Sequence, residues 1–221
     1  MQEKNMGGKE INACIIEARL SRRTNRMSMV DAEFKPVSEV SKMMHGFPAQ
    51  WFVAGGWAID LFLEFVSRKH EDIEIGIWRH DQNVFRKYLH GWKFKKVDDG
   101  YNTRWEEDEW LELPIHEIVA RSKTQPPYDL EVLLQEQVDG QWAYRRNMDI
   151  LCDAHNVVLR SPHGVPYLAP EIVLLFKAKK NREKDDLDFA HVREKLESDR
   201  KDWLRNALTQ YDPRHKWLTR L

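Results

Sequence analysis

Val53-Ala54-Gly55-Gly56-Trp57-Ala58-Ile59-Asp60, with Arg68-Lys69-His70-Glu71-Asp72-Ile73-Glu74-Ile75 a short step downstream, is the stretch on which the reading of this chain turns. Residues two apart on a strand share a face, so Asp72 and Glu74 project together while Ile73 and Ile75 turn the other way into a core. Two carboxylates on one face repel, and each raises the cost of ionising the other. A hard cation between them relieves that repulsion. Mg²⁺ prefers oxygen ligands and leaves its remaining positions to water or to substrate phosphates. Gly55 and Gly56 stand between a short apolar strand, Trp51-Phe52-Val53, and a helix expected over Trp57 to Phe65. Glycines there permit a tight turn and close approach of backbone to ligand. The helix start beyond them offers free N–H groups and a positive dipole end to a phosphate. Taken singly, each feature has an ordinary reading, a solvated strand edge or a common turn. Their order and spacing point to a triphosphate-and-metal site.

In-line attack on phosphorus also needs a group that orients or deprotonates the attacking hydroxyl. The segment Tyr128-Asp129-Leu130-Glu131-Val132-Leu133-Leu134 supplies two acids of matching parity, Asp129 and Glu131. Glu131 is embedded among Leu130, Val132 and Leu133, where an acid is least expected without a task, so it is the first choice and Asp129 the second.

Around these motifs the signals alternate. Helices are expected over Val37 to Met44 and Asn83 to Leu89, and a strand over Ile73 to Trp78. Trp92 to Val97 and Tyr101 to Trp105 read as a hairpin across Asp98-Asp99-Gly100. Leu130 to Leu134 reads as a strand, leading to a second hairpin whose Asp139-Gly140 turn precedes Trp142-Ala143-Tyr144. Asn156 to Leu159 reads as a further strand. After Pro170 the pattern is helical: Ile172 to Lys180, Asp185 to Leu196, Asp199 to Tyr211 and Trp217 to Leu221. Residues 1 to 30 are expected to form a poorly ordered or accessory extension, with a short helix over Ile11 to Leu20. The expected fold class is therefore α+β. A mixed sheet flanked by helices fills residues 31–162, and a helical part fills residues 163–221.

Composition narrows the function classes. The 221 residues carry a formal net charge of −1, which gives no overall electrostatic reason to expect nucleic acid or an anionic membrane. No apolar run approaches the roughly 20 residues of a membrane span, and no secretory signal is recognisable at the N-terminus. Cys14 and Cys152 form neither a disulfide framework nor a zinc set, so the cytoplasm is the expected compartment.

The diglycine stretch and the Arg68-to-Glu74 segment resemble the core motif of the aminoglycoside and lincosamide nucleotidyltransferases, within the polymerase-β-like nucleotidyltransferase superfamily. The resemblance is dense from about Trp51 to Ile75. Tyr167-Leu168-Ala169-Pro170-Glu171 and Lys177 to Asp188 resemble related bacterial members more thinly. It implies a nucleotidyltransferase fold, two Mg²⁺ ions, ATP or another NTP, and transfer of a nucleotidyl group to a hydroxyl of a small acceptor. Carried across, Asp72 and Glu74 are the metal-binding pair, Gly55 and Gly56 meet the phosphates, and Glu131 occupies the place of the third acid and metal ligand. Lys177 is a candidate phosphate contact from resemblance and charge together, and Arg68 from its charge beside the acidic strand. The chain departs from the family at Glu74, one methylene longer than the usual Asp. The third acid is also commonly Asp, which leaves Asp129 beside Glu131.

Among secondary features, Lys177, Lys180 and Lys184 share a helical face if one helix runs through Asn181. Salt bridges to Asp185, Asp186 and Asp188 are the ordinary alternative for them. Trp105 and Trp110, among Glu106, Glu107, Asp108, Glu109 and Glu112, form either a surface for a cationic acceptor or a solvated loop. Two other functions stay open: nucleotidyl transfer to a protein or tRNA, and nucleotide binding without turnover. A small, enclosed acidic cleft favours a drug-like acceptor, and an open basic groove favours RNA or protein. The acceptor and the oligomeric state are not legible.

Overall fold

The structure, a computed structural model, describes residues 33–180 and 182–221. The expected helix over residues 11–20 and the N-terminal extension lie outside the described residues. In chain order the elements are α1 (Lys35–Met43), β1 (Trp51–Val53), α2 (Gly55–Leu63), β2 (Glu74–Trp78), α3 (Gln82–Tyr88), β3 (Lys93–Asp98) and β4 (Tyr101–Arg104). There follow β5 (Glu117–Arg121), β6 (Asp129–Val138), β7 (Gln141–Tyr144), β8 (Asn147–Asp153), α4 (Ala154–Val157), β9 (Val158–Arg160) and β10 (Pro166–Leu168). The chain closes with α5 (Pro170–Lys177), α6 (Glu183–Lys195), α7 (Ser198–Tyr211) and a 3₁₀ turn over Lys216–Thr219.

The strands form one mixed ten-stranded sheet in the order β4-β3-β5-β6-β2-β1-β10-β9, with β7 and β8 continuing from the far half of β6. β2 and β6 run parallel with Glu74 opposite Glu131 and Ile75 opposite Val132. β1 lies antiparallel to β2 and parallel to β10. The period of two decides what each face carries. Ile75, Ile77, Val132, Leu134, Ile118 and Ala120 share one face and are fully or almost fully buried. Glu74, Glu131 and Glu117 share the other. Burying that many aliphatic side chains at roughly 25 cal/mol per Å² fixes the register of β6, because a slip by one residue would drive Glu131 into the core.

Helix α2 packs on β2 and β10 and against α5 and α6, and α5 also packs on α7. Val37 and Val40 in α1, with Met44 at its C-cap, recur at helical spacing and are buried, as the sequence pattern predicts. β10 inserts beside β1, so the strand belonging to the central sheet comes after residue 162 and the helices follow it.

The expectations at residues 156–159 and 172–184 need correction. Residues 154–157 make one helical turn, begun by the Asp153 side chain accepting from the His155 N–H at 2.9 Å, and the strand starts only at Val158. α5 ends at Lys177 and α6 begins at Glu183, so Lys177, Lys180 and Lys184 do not lie on one continuous helix.

Gly76 in β2 is a position where side-chain size is decisive. A Cβ there would overlap the ring of Phe52, which is 0% exposed and set edge-on to Trp78 at 6.2 Å. Overpacking of this kind costs about 1–3 kcal/mol. Gly76→Ala is therefore expected to lower the urea midpoint with an unchanged denaturant slope, and a midpoint equal to that of the parent protein would refute the close packing.

Candidate active site

The parallel register of β2 and β6 sets Glu74 and Glu131 side by side, on strands whose usual spacing is about 4.8 Å. Asp72 sits two residues before Glu74, where the chain enters β2, and its backbone oxygen accepts from the Trp57 indole N–H at 3.0 Å. Glu117, one strand further over, completes a group of four acids on this face. Glu131, Glu74 and Glu117 are each held away from ionisation chiefly by burial. Glu131 is pushed up to about 7 by partial burial and then by Asp72, Glu117 and Glu74. Glu74 is raised by burial and Asp72, against a lowering by Lys177 and by the Gly56 N–H. Glu117 is raised by burial, against Lys180 and Arg145. Asp129, by contrast, is exposed at the mouth of β6 and pairs with Arg121 at 2.6 Å.

The diglycine turn is fitted to these acids. Gly55 has φ +59°, a conformation only glycine adopts cheaply, and a Cβ there would overlap the Glu74 carboxylate. The Gly56 N–H at the start of α2 donates to that carboxylate. A Cβ on Gly56 would lie 2.5 Å from the His70 ring and 2.6 Å from Arg68 Nη2. Here the glycines admit side chains of the site itself against the backbone. Asp60, fully buried on α2, accepts from Ser67 N–H at 3.1 Å and from Ser67 Oγ–H at 2.6 Å, and its other oxygen is 2.5 Å from His70 Nε2. His70 in turn stacks on Trp57 with ring centroids 4.4 Å apart. Asp60 and Trp57 thus clamp the loop that delivers Asp72 to β2.

A set of cations stands opposite the acids. Lys177, at the end of α5, contacts Asp188 at 2.9 Å and Asp185 at 3.4 Å, both on α6 and both buried. Arg68 donates through Nε and Nη2 to the two oxygens of Asp188 at 3.2 and 3.3 Å. Arg182 holds Asp185 through Nε at 2.8 Å. The ordinary salt-bridge reading of Lys177 therefore holds for Asp185 and Asp188, yet the same ammonium faces Glu74 across the cavity. That cavity, about 1030 Å³, is bordered by Gly55, Gly56, Asp72, Glu74, Glu117 and Lys177, with Lys180, Lys184 and the Arg145–Arg146 pair further along. A second cavity of about 230 Å³ adjoins it across Asp72 and is lined by Glu131 and Asp129.

The donor set suits a hard divalent ion, since Asp72, Glu74 and Glu131 offer only oxygen and the raised carboxyls would gain most from a positive charge. Among the described residues, no three His, Cys, Asp or Glu side chains are already gathered as a metal site. The segment around Trp105 and Trp110 lies apart. Trp105 is 1% exposed beneath the Arg86 guanidinium at 4.6 Å, and Glu109 pairs with Lys96.

Glu117 and Arg145 escape a reading of the sequence. β5 is short and Glu117 lies at its edge, although the Ile118-Val119-Ala120 run behind it was the available signal. The pairing of Asp188 with Arg68 is invisible without the fold, since the two lie 120 residues apart.

A mixed sheet with a diglycine turn, in-register acids and a helical cap of cations defines the nucleotidyltransferase fold. Residues 36–192 match the family of aminoglycoside-2''-adenylyltransferases, and the chain belongs to that family of nucleotidyltransferases. The solved structure of ANT(2'')-Ia with adenylyl-2''-tobramycin is similar at a TM-score of 0.53 and 13% identity, covering 83% of this chain and 99% of that one. The lincomycin-bound lincosamide adenylyltransferase LnuA is similar at 0.50 and 17%, covering 72% and 95%. No curated protein sequence matches the chain.

The raised Glu131 carboxyl has a signature in stability. Its folded state holds a proton up to about 7, whereas an unfolded glutamate releases it near 4.5. The folded form therefore binds more protons across that window, and stability falls as pH rises through it. In metal-free buffer, Glu131→Gln should melt with the parent protein near pH 4.5 and above it at pH 8. A variant that melts lower at pH 8 would contradict the crowding of these acids.

Proposed function

We propose that this protein catalyses Mg²⁺-dependent transfer of a nucleoside monophosphate from ATP, or another NTP, to a hydroxyl of a small acceptor. The observation that carries the reading is the in-register pairing of Glu74 with Glu131 beside Asp72, directly below the diglycine turn. Asp72, Glu74 and Glu131 would hold two divalent ions. When bound, such ions neutralise triphosphate charge and polarise the phosphorus under attack.

The chain's own groups divide the remaining work. Lys177, Arg68 and Arg182 are fixed in orientation by Asp185 and Asp188, which suits them to contact triphosphate oxygens as preorganised donors. Gly55 and Gly56, which carry no side chain at the start of α2, would meet the phosphates with their backbone. Glu131, the third acid beside Asp72 and Glu74, would orient the acceptor hydroxyl and take its proton. The hydroxyl oxygen then bonds to the α-phosphorus, the bond from that phosphorus to the bridging oxygen breaks, and pyrophosphate leaves. Asp129, held by Arg121 in solvent, is left as the reserve base.

The acceptors of the similar solved proteins are tobramycin and lincomycin, and an antibiotic of such a kind is the family's suggestion for this chain. The longer reach of Glu74 leaves a nucleotide-binding protein without turnover as the competing outcome.

The test is Mg²⁺-dependent pyrophosphate release from ATP across a panel of hydroxyl acceptors. Asp72→Asn is expected to lower turnover at least about 100-fold, while Glu197→Gln, exposed at the start of α7, leaves it unchanged. Turnover that survives Asp72→Asn would remove the assigned metal pair. Nucleotide binding with no pyrophosphate released for any acceptor would select the silent reading.

A further inference from the structure

Of the nine lysines and arginines that border the large cavity, one set of three is neutralised, and a second set stands out among the rest. Arg68, Lys177 and Arg182 are matched by Asp185 and Asp188. Arg145, Arg146 and Lys180, on the side of Glu117, make no ion pair among the described residues. Half-buried Glu117 faces them, its own ionisation disfavoured by burial, and Glu136, which also acts on Arg145, is taken up by Arg79.

This second set is built rather than loose. Arg145 and Arg146 occupy the bulged turn between β7 and β8, and both guanidinium groups lie over the Phe176 ring, at 4.8 and 5.5 Å from its centroid. Arg146 is fixed further, donating from Nη1 to Tyr144 Oη at 2.9 Å and to the Phe176 backbone oxygen at 3.0 Å. The Arg145 Nη1 is buried and has no hydrogen-bond partner. Burial and the adjacent Arg146 depress its guanidinium to about 10. A buried, unsatisfied guanidinium nitrogen is costly to leave unmade, and an incoming oxyanion matches its planar fork.

We propose that this wall is the acceptor subsite, and that it takes a small hydroxyl compound bearing a phosphate or carboxylate, held by Arg145, Arg146 and Lys180. The inference rests on the nucleotidyl-transfer reading above and gives that site its acceptor class. A polyamino sugar would place ammonium groups against this cationic wall, a juxtaposition that disfavours binding. The cavity of about 1030 Å³ lies at the upper end of the usual span of ligand pockets, roughly 300–1,000 Å³. It has room for a nucleotide with a small second ligand.

The experiment uses the full chain saturated with Mg²⁺ and a non-hydrolysable ATP analogue, titrated calorimetrically with glucose 6-phosphate, glucuronate, glucose and tobramycin. The phosphate or the carboxylate sugar should bind, and glucose and tobramycin should not. Arg145→Met should weaken that binding at least about tenfold, leave the affinity for the analogue within about twofold, and raise the melting temperature of the ligand-free protein by removing an uncompensated charge. A purely structural arginine would lower the melting temperature instead. Equal loss of analogue affinity in Arg145→Met would hand the wall to the nucleotide and overturn the proposal. So would tobramycin binding that exceeds that of both anionic sugars, or nucleotide transfer to a short RNA alone. If the analogue itself fails to bind the unaltered protein, the nucleotide reading of the site falls, and this inference with it.

Discussion

The parallel pairing of β2 with β6 forces carboxylates together, and much of the molecule answers that constraint. The apolar faces of both strands need this register, since Ile75, Ile77, Val132 and Leu134 fill the core only when Glu74 stands opposite Glu131. Core burial thus supports an electrostatic conflict on the opposite face. The relief comes from backbone and helix. The Gly56 N–H and Lys177 stabilise the charged form of Glu74, and Gly55 adopts its positive φ where any side chain would collide with that acid.

A second tier of buried polar groups keeps the first in place. Asp60 has no access to solvent, yet its two oxygens are satisfied by Ser67 and His70. A buried carboxylate is tolerated on those terms and becomes expensive if one partner is removed. Through His70 and the Trp57 bond to the Asp72 backbone, helix α2 fixes where the loop carrying Asp72 enters its strand. This explains why the informative motif is longer than the acids it serves. Its tryptophan, aspartate and histidine position those acids.

What was legible in the sequence follows from range. The diglycine turn, the acid–x–acid strand and the helices after Pro170 are local patterns, and the structure places them within a few residues of the expectation. Glu131 was legible because an acid alternating with Leu130 and Val132 is a statement about two faces of one strand. β10 was not, since three residues beginning with proline carry no period, although its place beside β1 is central to the sheet. β6 runs beyond Leu134 through Gln135 and Glu136, whose polarity hides that they are buried. Gln135 accepts from the Trp142 indole at 3.0 Å, and Glu136 is held by Arg79. The charge balance of the site was least legible of all, because Arg68 finds Asp188 only through the packing of α6 on α2.

That balance has a consequence for acceptor choice that neither fold nor family dictates. Helix α6 contributes two buried acids, and both face the cations nearest Glu74. With those charges matched in the empty protein, the triphosphate end can be rigid without being overwhelmingly positive. The β7–β8 turn receives no such acids, and stacking on Phe176 prevents Arg145 and Arg146 from relaxing into solvent. Charge left unmatched on a rigid support is a cost to the folded protein, and a ligand of the opposite sign is what removes it. The uneven placement of acids between the two halves of one cavity therefore gives it two electrostatically distinct ends, and under the proposed function these would sort its ligands by charge.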